Sequence, residues 1–490
     1  MYIVMAASEC ASVSKVGGLA DVVYGLSREL AIRGNQVEII LPKYDCMRYD
    51  HIWELQVVYQ DLWVKWGTGA INCTVWFGMV DGCKCFFIEP HSNDNFFNRG
   101  QYYGCHDDSM RFAFFSKATL EFMLQTGRHP DVIHCHDWQT GLIPVLLFEI
   151  YKQQGMSHSR ICYSIHNFRY QGVTGADILS VTNLDRPEYY HHPDRLQDNK
   201  HVGALNFMKA GIVYSNFVTT VSPKHAWEAL YTDQSYGLGD TLHAHRNKFT
   251  GILNGLDYEI WNPEIDPLIP HHYNIVDLEG KYSNKEVLCD RLLLKKQYKP
   301  IIAYIGRLDV QKGVHLIRHG LFYALKNNAQ FIVLGSSPET NINNDFLHLK
   351  QELNSNEDCH LEIGFDEELA HLIYAGADMI IMPSMYEPCG LAQMIALRYG
   401  TVPIVRSVGG LADTIFDRDY SDKALTARNG YTFNEADYVG LESAMQRAIG
   451  LWHNYPEQFH KLIIQGMQYN FSWHRSGQYY LDIYDLVREK

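Results

Sequence analysis

The sequence predicts an α/β protein built from two doubly wound, Rossmann-like domains. Short, nearly continuous apolar runs recur along the chain, which is typical of strands buried on both faces of a parallel sheet. Segments with helical spacing of apolar residues separate these runs. The chain has 490 residues, of which 46% are hydrophobic. It therefore exceeds the length at which a single core usually divides into two domains.

The apolar runs fall into two groups. The first group contains VEIILP, CFFIEP, VIHCHD, ICYSIHN and FVTTVSP, and the second contains IIAYIG, FIVLG, MIIMPS and VPIVRS. Between the groups, residues 258–300 contain the Pro- and Asp-rich stretch WNPEIDPLIP and then a charged helical segment. We therefore expect an N-terminal domain over 1–257, a second domain over 258–465 and a C-terminal helix over 466–490 that returns to the first domain.

The stretch SKVGGLADVV, residues 14–23, follows the apolar run YIVMAAS and places two glycines in front of a helix. Apolar residues recur at helical spacing after the glycines, and Gly34 marks the end of the helix. Gly17 and Gly18 let backbone N–H groups approach a ligand, and the N-terminus of a helix attracts anions. Neither the dinucleotide-binding pattern nor the P-loop pattern matches. We interpret the turn as an anion site, against the alternative of a plain strand-to-helix turn with a solvated lysine.

Composition excludes several classes of function. The formal net charge of −14 argues against nucleic acid or an anionic membrane as the main partner. No window approaches the roughly 18 consecutive apolar residues of a membrane helix, and the N-terminus lacks a secretory signal pattern. Eleven cysteines are spread irregularly, which is typical of a reduced, intracellular protein. These features predict a globular protein of the cytoplasm.

Two short motifs raise the question of a metal site. HCHDW at 134–138 contains His134 and His136, but no second Cys/His pair lies at zinc-finger spacing. Asp417 and Asp419 form an Asp-x-Asp pair of the kind that holds a divalent ion on a nucleotide sugar, although such tripeptides often arise by chance. We predict no metal and no other cofactor.

Polar residues and glycines follow the predicted strands, where open α/β sheets bind their ligands. In the second domain they include an arginine, a lysine and a glycine-bearing turn, a set that fits a diphosphate. Glu387 precedes that turn, and a carboxylate there fits sugar hydroxyls better than phosphate. The candidates are Lys15, Gly17, Gly18, Asp21, Asp137, His166 and Asn254 in the first domain, and Arg307, Lys312, Gly335, Glu387, Cys389, Gly390 and Leu391 in the second.

Seven motifs, in this order, resemble those of glycogen synthases and starch synthases: KVGGLAD, HDWQTGL, IHNFRYQG, VSPKHAWE, GILNGLD, GRLDVQKG and PSMYEPCGL. The resemblance covers nearly the whole chain, which is most like the cyanobacterial and plant soluble starch synthase branch. It implies the plastid stroma as the compartment if the protein is eukaryotic. It implies a GT-B fold whose two domains face across a deep cleft. It also implies a retaining glucosyltransferase that moves glucose from ADP-glucose to the non-reducing end of an α-1,4-glucan.

The resemblance implies which residues hold the diphosphate. Arg307 and Lys312 would stabilise the charge of the departing group, which is where electrostatic stabilisation matters most. Lys15 and the glycine pair 17–18 would close on the same group from the first domain. The backbone at 390–391 would add donors from a helix N-terminus.

The resemblance also implies which residues bind the sugar and the base. Glu387 would grip the glucose hydroxyls, and His166 and Asn254 would reach the 6-hydroxyl. Asp137 would lie nearer the acceptor, and Phe365 would stack on adenine.

Most of these residues have a structural alternative. Arg307 and Lys312 fit surface charges, His166 fits a hydrogen-bonded core histidine, and Asp137 fits a cap for the helix that follows. The abundant tyrosines and tryptophans, including Trp138, are mostly core residues by their general distribution, and some are expected to line a glucan groove.

Two questions stay open at the level of sequence. A double displacement needs a carboxylate opposite the leaving group, and Asp137 is the candidate, whereas a front-face route needs only the phosphate-binding groups. We favour the front-face route by resemblance. The alternative functions are transfer from a UDP sugar to another acceptor and a non-catalytic glucan-binding protein.

We also expect the enzyme to work by domain closure. Lys15 and Glu387 come from opposite domains and would meet the same donor only in the closed form, which excludes water. The hinges would be residues 258–300 and the chain before the C-terminal segment GQYYLDIYDLVREK.

Overall fold

The computed structural model describes residues 1–489, so Lys490, the last residue of the predicted C-terminal segment, lies outside the described residues. The chain divides into two units. The first unit contains Met1–Gly255 together with the segment from Trp473 onward, and the second contains Leu256–Ser472. The predicted fold class is confirmed, because each unit carries a largely or wholly parallel sheet with helices between its strands. The roles of the domains and the cleft between them stay predictions.

Eleven strands belong to the first unit. They are β1 (Tyr2–Ala6), β2 (Gln36–Pro42), β3 (Trp53–Trp66), β4 (Gly69–Val80), β5 (Cys83–Pro90), β6 (Val132–His136), β7 (Arg160–Ile165), β8 (Val173–Thr174), β9 (Leu205–Asn206), β10 (Phe217–Thr220) and β11 (Phe249–Gly251). Nine of them form one sheet in the order β11-β10-β7-β6-β1-β2-β5-β4-β3, and β8 pairs with β9. The pairing is parallel from β11 to β5 and antiparallel between β5, β4 and β3.

Helices cover this sheet. They are α1 (Gly18–Ile32), α2 (Asp108–Gln125), α3 (Ile143–Glu149), α4 (Asp177–Thr182), α5 (Pro187–Tyr190), α6 (Phe207–Tyr214), α7 (Pro223–Tyr231) and α8 (Gly239–Ala244). Helix α1 illustrates how the sequence sets an element. Its apolar residues Leu19, Val22, Leu26 and Leu30 are buried at helical spacing, and Gly34 takes the left-handed conformation just past the helix end with φ of 83°.

The second unit is an all-parallel sheet with helices between its strands. Its strands are β12 (Ile301–Ile305), β13 (Gln330–Gly335), β14 (Cys359–Ile363), β15 (Met379–Met382), β16 (Val402–Arg406) and β17 (Tyr431–Phe433), in the order β14-β13-β12-β15-β16-β17. Its helices are α9 (Glu279–Leu292), α10 (Val314–Lys326), α11 (Thr340–Leu353), α12 (Glu367–Gly376), α13 (Ala392–Arg398), α14 (Gly409–Thr414), α15 (Tyr438–Asn454) and α16 (Pro456–Met467).

Every apolar run quoted from the sequence forms a strand, and the charged segment within 258–300 forms α9. The sequence analysis missed the long hairpin of β3 and β4. Most residues of β3 are exposed or half-buried, so this strand lacks the continuous apolar run of a buried strand. In residues 1–489, no helix is both long enough and apolar enough to pass through a membrane.

The last helix, α17 (Trp473–Arg488), completes the core of the first unit. Its buried residues Trp473, Tyr480 and Tyr484 belong to the same apolar cluster as α1 and the sheet. The helix approaches α1 closely at Gly25, where an added Cβ would lie 2.0 Å from Nε1 of Trp473. The C-terminal helix can therefore pack here only because this position in α1 has no side chain.

Replacing Gly25 should accordingly destabilise the first unit. We expect Gly25→Ala to lower the free energy of unfolding by about 1–3 kcal/mol, the cost of overpacking a close-packed core. Denaturant titration followed by tryptophan fluorescence measures this. The matched control is Gly450→Ala in α15, where a Cβ would meet nothing within 4 Å and the change should stabilise the helix by about 0.5–1 kcal/mol. Equal midpoints for Gly25→Ala and the wild type would contradict this packing argument.

Candidate active site

The candidate residues of the first unit follow strands that end at one edge of its sheet. Asp137 directly follows β6, and His166 directly follows β7. In the register of the sheet, His136 pairs with Ser164, so the two strands end side by side. Because parallel strands all point the same way, their ends gather side chains that are distant in sequence.

Lys15 lies in the exposed loop before α1. Its side chain is 53% exposed, and Nζ donates to Oδ1 of Asp21 at 2.7 Å. Burial raises the pKa of Asp21, and the neighbouring Lys15 opposes that rise. The two predicted residues are thus brought together, and the charge of Lys15 is partly balanced by the chain itself.

Glu9 organises the glycine turn and was missed by the sequence analysis. Its buried carboxylate accepts from the backbone N–H groups of Val16 at 2.7 Å and Gly17 at 3.1 Å, and from the Tyr103 hydroxyl at 2.6 Å. Burial raises the pKa of Glu9. The N–H of Gly17 is therefore directed at a carboxylate of the protein. Around Gly17 and Gly18 themselves the space is open, with nothing within 4 Å of an added Cβ.

Asp137 has an unusual backbone and a perturbed carboxyl group. Its φ of 56° and ψ of −176° form a conformation that residues with side chains rarely adopt. Oδ1 accepts from the backbone N–H of His166 at 2.7 Å. Burial raises the pKa of Asp137 to about 7, against the opposing effect of backbone donors at His166 and Asn167. The side chain makes no capping hydrogen bond to the helical turn that follows, so the interpretation of Asp137 as a helix cap is wrong.

A chain of histidines lies beside Asp137. Nε2 of His166 is 3.1 Å from Nδ1 of His136, and burial lowers the pKa of His166 to about 3. His166 is only partly buried by solvent accessibility, so part of it faces outward. Both ring nitrogens of His134 are engaged, with the Tyr484 hydroxyl at 2.7 Å and Ser164 Oγ at 2.6 Å. His134 is therefore structural, whereas His166 is neutral at pH 7 and available for hydrogen bonding.

Asn254 follows β11 at the same edge of the sheet. It is 7% exposed, and its Oδ1 has no hydrogen-bond partner. A buried polar atom without a partner is costly and usually marks a ligand or water position. This observation agrees with the predicted contact of Asn254 to a substrate hydroxyl.

The second unit brings Lys312 and Glu387 together. Nζ of Lys312 donates to Oε2 of Glu387 at 2.5 Å, and the Ser384 hydroxyl donates to the same oxygen at 2.9 Å. Glu387 is buried, and the side chain of Lys312 is 21% exposed. Arg307 is 56% exposed and lies 3.6 Å from Asp309. Lys312 is therefore not a free surface charge, because it forms an ion pair with the buried Glu387. The sequence analysis had assigned Glu387 to the sugar alone.

Gly335 and Gly313 are required by the close approach of backbone segments. A Cβ on Gly335 would lie 2.0 Å from the carbonyl oxygen of Gly306. Gly313 has φ of 73° and precedes α10, and a Cβ there would lie 2.2 Å from the carbonyl oxygen of Pro383. Gly335 therefore has a packing role in this unit, and its predicted contact with the nucleotide sugar stays a prediction.

The side chain of Gln393 holds the turn that contains Cys389, Gly390 and Leu391. Nε2 of Gln393 donates to the carbonyl oxygens of Cys389 and Gly390, both at 3.0 Å. Gly390 has φ of 73°, a conformation that favours glycine. The helix that follows, α13, has only seven residues. The assignment of this turn to the phosphates stays a prediction.

Sequence reasoning also missed the support of this turn by Gly409 and Gly410. A Cβ on Gly409 would lie 2.0 Å from the carbonyl oxygen of Glu387, and one on Gly410 would lie 2.1 Å from that of Cys389. The signal was available, because VGGLAD occurs at 16–21 and again at 408–413. Only glycines, which lack a Cβ, let the second copy of VGGLAD (408–413) pack against the turn.

Phe365 lies between β14 and α12 and is 89% exposed. The ring presents an aromatic face to solvent, and its predicted stacking on the base stays a prediction. Asp417 and Asp419, by contrast, are both bound by Nη1 of Arg447, at 2.8 and 3.0 Å. This pair of carboxylates forms an ion-pair network within the second unit.

Comparison with known proteins identifies the family. The model of the starch synthase catalytic domain matches residues 2–244, and that of glycosyl transferases group 1 matches residues 291–460. Glycogen synthase 1 of Trichormus variabilis is 63% identical over 491 residues, covering 100% of both chains. The chain belongs to the glycogen synthase family. Glycogen synthase 2 of Methylococcus capsulatus is 60% identical and covers 98% of this chain and 99% of its own.

Solved structures agree with this membership. The catalytic domain of starch synthase IV from Arabidopsis thaliana, bound to ADP and acarbose, matches with a TM-score of 0.96 and 42% identity over 100% of this chain and 99% of its own. Sucrose-phosphate synthase from Thermosynechococcus elongatus matches with a TM-score of 0.60 at 18% identity over 99% and 98%, which shows the fold alone. The predicted enzyme class is confirmed: the family consists of GT-B glucosyltransferases of the glycogen and starch synthase type.

The partly buried carboxyl of Asp137 should make stability depend on pH. The folded protein holds this proton up to a pKa of about 7, whereas the unfolded chain releases it near 3.8. Raising the pH from about 4 to about 7 therefore favours the unfolded state at this residue. The melting temperature of the wild type should therefore fall as the pH rises from about 4 to about 7, and we expect this fall to be smaller in Asp137→Asn. Scanning calorimetry at several pH values measures it. Parallel pH profiles for the variant and the wild type would contradict the assignment.

Proposed function

We propose that this enzyme transfers glucose from ADP-glucose to the non-reducing end of an α-1,4-glucan with retention of configuration. The observation that carries the proposal is the ion pair of Lys312 with the buried Glu387, at the ends of the neighbouring strands β12 and β15, together with the exposed Arg307 that also follows β12. Two cations and a carboxylate thus follow two adjacent strands, and a sugar diphosphate needs both kinds of group. Support for ADP comes from the starch synthase IV structure, which is a complex with ADP and acarbose.

In this proposal the second unit binds the donor. Arg307 and Lys312 take the diphosphate and stabilise the negative charge that develops on it. The bonds from Lys312 and Ser384 both end at Oε2 of Glu387, and we assign Oε1 to a glucose hydroxyl. The exposed ring of Phe365 supplies a face on which the base stacks.

The first unit then supplies the groups that meet the glucose and the acceptor. His166, whose pKa burial lowers to about 3, offers a neutral ring for a hydrogen bond to the sugar. The unpartnered Oδ1 of Asn254 is a second acceptor for a hydroxyl. Lys15 would exchange its partner Asp21 for phosphate, and the open space around Gly17 and Gly18 leaves room for the phosphate beside the N–H of Gly17, which itself is directed at Glu9.

The front-face route fits these groups better than a double displacement. Oδ1 of Asp137 is bound by the backbone of His166, which ties the ends of β6 and β7 together. A nucleophile needs a carboxylate that is ionised and free to move toward the anomeric carbon. Asp137, with a pKa raised to about 7, suits a positioning role near the acceptor.

A UDP sugar remains the alternative donor, because an aromatic ring stacks on uracil as well as on adenine. We also propose a reducing compartment, since all eleven cysteines of the sequence are free thiols and most of them are buried.

The donor is tested by direct assay. We expect the purified protein to elongate a maltohexaose primer with ADP-glucose, with a kcat/KM for UDP-glucose at least tenfold lower. Phe365→Ala should raise the KM for ADP-glucose by about threefold to tenfold, the value of one aromatic stack. Chromatography of the fluorescently labelled primer measures both. Transfer only from UDP-glucose would overturn the choice of nucleotide, and a labelled product other than a longer glucan would overturn the acceptor.

Lys312 should be required for the rate. We expect Lys312→Ala to lower kcat by roughly 100- to 1,000-fold, because it removes a fixed charge that acts on the leaving group. It should also lower the melting temperature, since it leaves Glu387 buried beside Ser384 alone. The matched control is Lys326→Ala, an exposed residue at the opposite end of α10, which should keep both rate and stability. A Lys312→Ala enzyme with near-normal kcat would show that this lysine is purely structural.

Activity should not require an added metal ion. Lys15, Arg307 and Lys312 provide the counter-charge that a divalent cation supplies elsewhere. We expect at least half of the turnover to remain after dialysis against EDTA. A complete loss in EDTA that magnesium or manganese restores would overturn this prediction and would direct attention to Asp417 and Asp419.

A further inference from the structure

His136 is a buried histidine that the proposed function does not use. It is the last residue of β6, and it is fully buried. Nδ1 of His136 lies 3.1 Å from Nε2 of His166, and the two ring centroids are 5.3 Å apart. On its other side the ring packs against that of His134, with the centroids 4.1 Å apart. His136 is therefore held from two sides, and it contacts the histidine that is proposed to meet the sugar.

Both of these imidazoles are neutral at pH 7. Burial lowers the pKa of His136 well below its usual value, and it lowers that of His166 to about 3. A neutral imidazole carries one N–H and one bare nitrogen. The contact between the two rings therefore contains a single hydrogen, which belongs either to His136 or to His166. Whichever ring donates determines the tautomer of both residues.

The second ring nitrogen of His136 decides between the two arrangements. Nε2 of His136 is buried and has no hydrogen-bond partner among residues 1–489. If His136 accepted at Nδ1, its Nε2 would carry a buried N–H without an acceptor. If His136 donates from Nδ1, its Nε2 is a bare acceptor instead. Because an unpaired N–H is the rarer of the two in protein interiors, we assign the hydrogen to Nδ1 of His136, which donates to Nε2 of His166.

The substrate side leads to the same tautomer independently. With Nε2 accepting, His166 carries its own hydrogen on Nδ1, which has no partner in the part of the chain that the structure describes. The resemblance assigns His166 and Asn254 to the same glucose 6-hydroxyl, and the unpartnered Oδ1 of Asn254 is an acceptor. A hydroxyl has only one hydrogen to donate. Once Asn254 accepts that hydrogen, His166 can bind the hydroxyl oxygen only as a donor.

We propose that His136 is a positioning residue for the transfer reaction. It donates from Nδ1 to Nε2 of His166, and the Nδ1–H of His166 is thereby presented to the 6-hydroxyl of the donor glucose. The inference rests on the proposed function, in which His166 meets the sugar. The backbone of His166 is held as well, because its N–H donates to Oδ1 of Asp137 at 2.7 Å. His136 itself is buried and acts on the sugar only through the tautomer of His166.

A comparison of two donor substrates tests this role. ADP-6-deoxyglucose lacks the 6-hydroxyl, so its complex lacks the contact with His166. We expect His136→Leu to lower kcat/KM for ADP-glucose by about threefold to tenfold, the effect of one hydrogen bond, and to change that for ADP-6-deoxyglucose by less than about twofold. His136→Asn, whose amide keeps a donor near the position of Nδ1, should recover most of the loss. An equal loss for both donors would overturn the proposal, because it would show a general structural effect.

The matched control is Cys135→Ala. Cys135 precedes His136 in β6 and is fully buried, and its side chain lies on the opposite face of the sheet because successive side chains of a strand alternate. We expect this variant to have a lower melting temperature, since it leaves a small cavity, and an unchanged ratio of kcat/KM between the two donors. A changed ratio would also overturn the proposal, because any disturbance of β6 would then produce the effect.

The tautomer is measured without any substrate. In protein that carries nitrogen-labelled histidine, long-range proton–nitrogen correlation spectra distinguish a protonated ring nitrogen from a bare one, and the signals of His166 are those absent from His166→Gln. We expect a protonated Nδ1 and a bare Nε2 for His166 in the wild type and in His136→Asn, and a loss of this preference in His136→Leu. A protonated Nε2 in the wild type would overturn the proposal. Failure of the wild type to use ADP-glucose would count against the proposed function and would leave the tautomer measurable.

Discussion

Parallel pairing of strands is the constraint on which the rest of this structure depends. A parallel strand is hydrogen-bonded on both sides and buried on both faces, so its interior positions admit apolar residues almost exclusively. Chemistry is therefore confined to the residues that follow the strands. Asp137 and His166 are separated by 29 positions in the sequence, yet a hydrogen bond joins them. They meet because β6 and β7 are neighbours that run in the same direction. Lys312 and Glu387 meet across 75 residues for the same reason.

Burying a charged group costs desolvation free energy, and the two units offset that cost in different ways. In the first unit the pKa of Asp137 is raised to about 7, and the buried carboxylate of Glu9 accepts from two backbone N–H groups. The second unit neutralises Glu387 with Lys312. Such a pair is weak support for stability, because desolvation opposes the attraction.

Much of the fold and of the site was accessible from the sequence. Continuous apolar runs predicted ten strands, because full burial leaves a strong local pattern, and the residues after those strands are the ones gathered at the sheet edge. The exposed hairpin of β3 and β4 was missed because it leaves no such pattern. Glu9 was missed because its partners, Val16, Gly17 and Tyr103, are set by folding rather than by spacing. The pairing of Lys312 with Glu387 was missed because the two residues were assigned to different parts of the ligand.

The repeated hexapeptide VGGLAD separates what sequence determines from what only tertiary structure decides. In both copies the local sequence starts a helix, α1 at Gly18 and α14 at Gly409. The first glycine nevertheless differs in backbone angle, with φ of −149° at Gly17 and 48° at Gly409. The two copies differ in what is packed around their glycines. Gly17 and Gly18 face open space, where a ligand can approach, whereas Gly409 and Gly410 press against the backbone of Glu387 and Cys389. A short sequence favours the start of a helix, but the segments packed against it determine its backbone angles and whether its missing side chains leave open space or make room for another part of the chain.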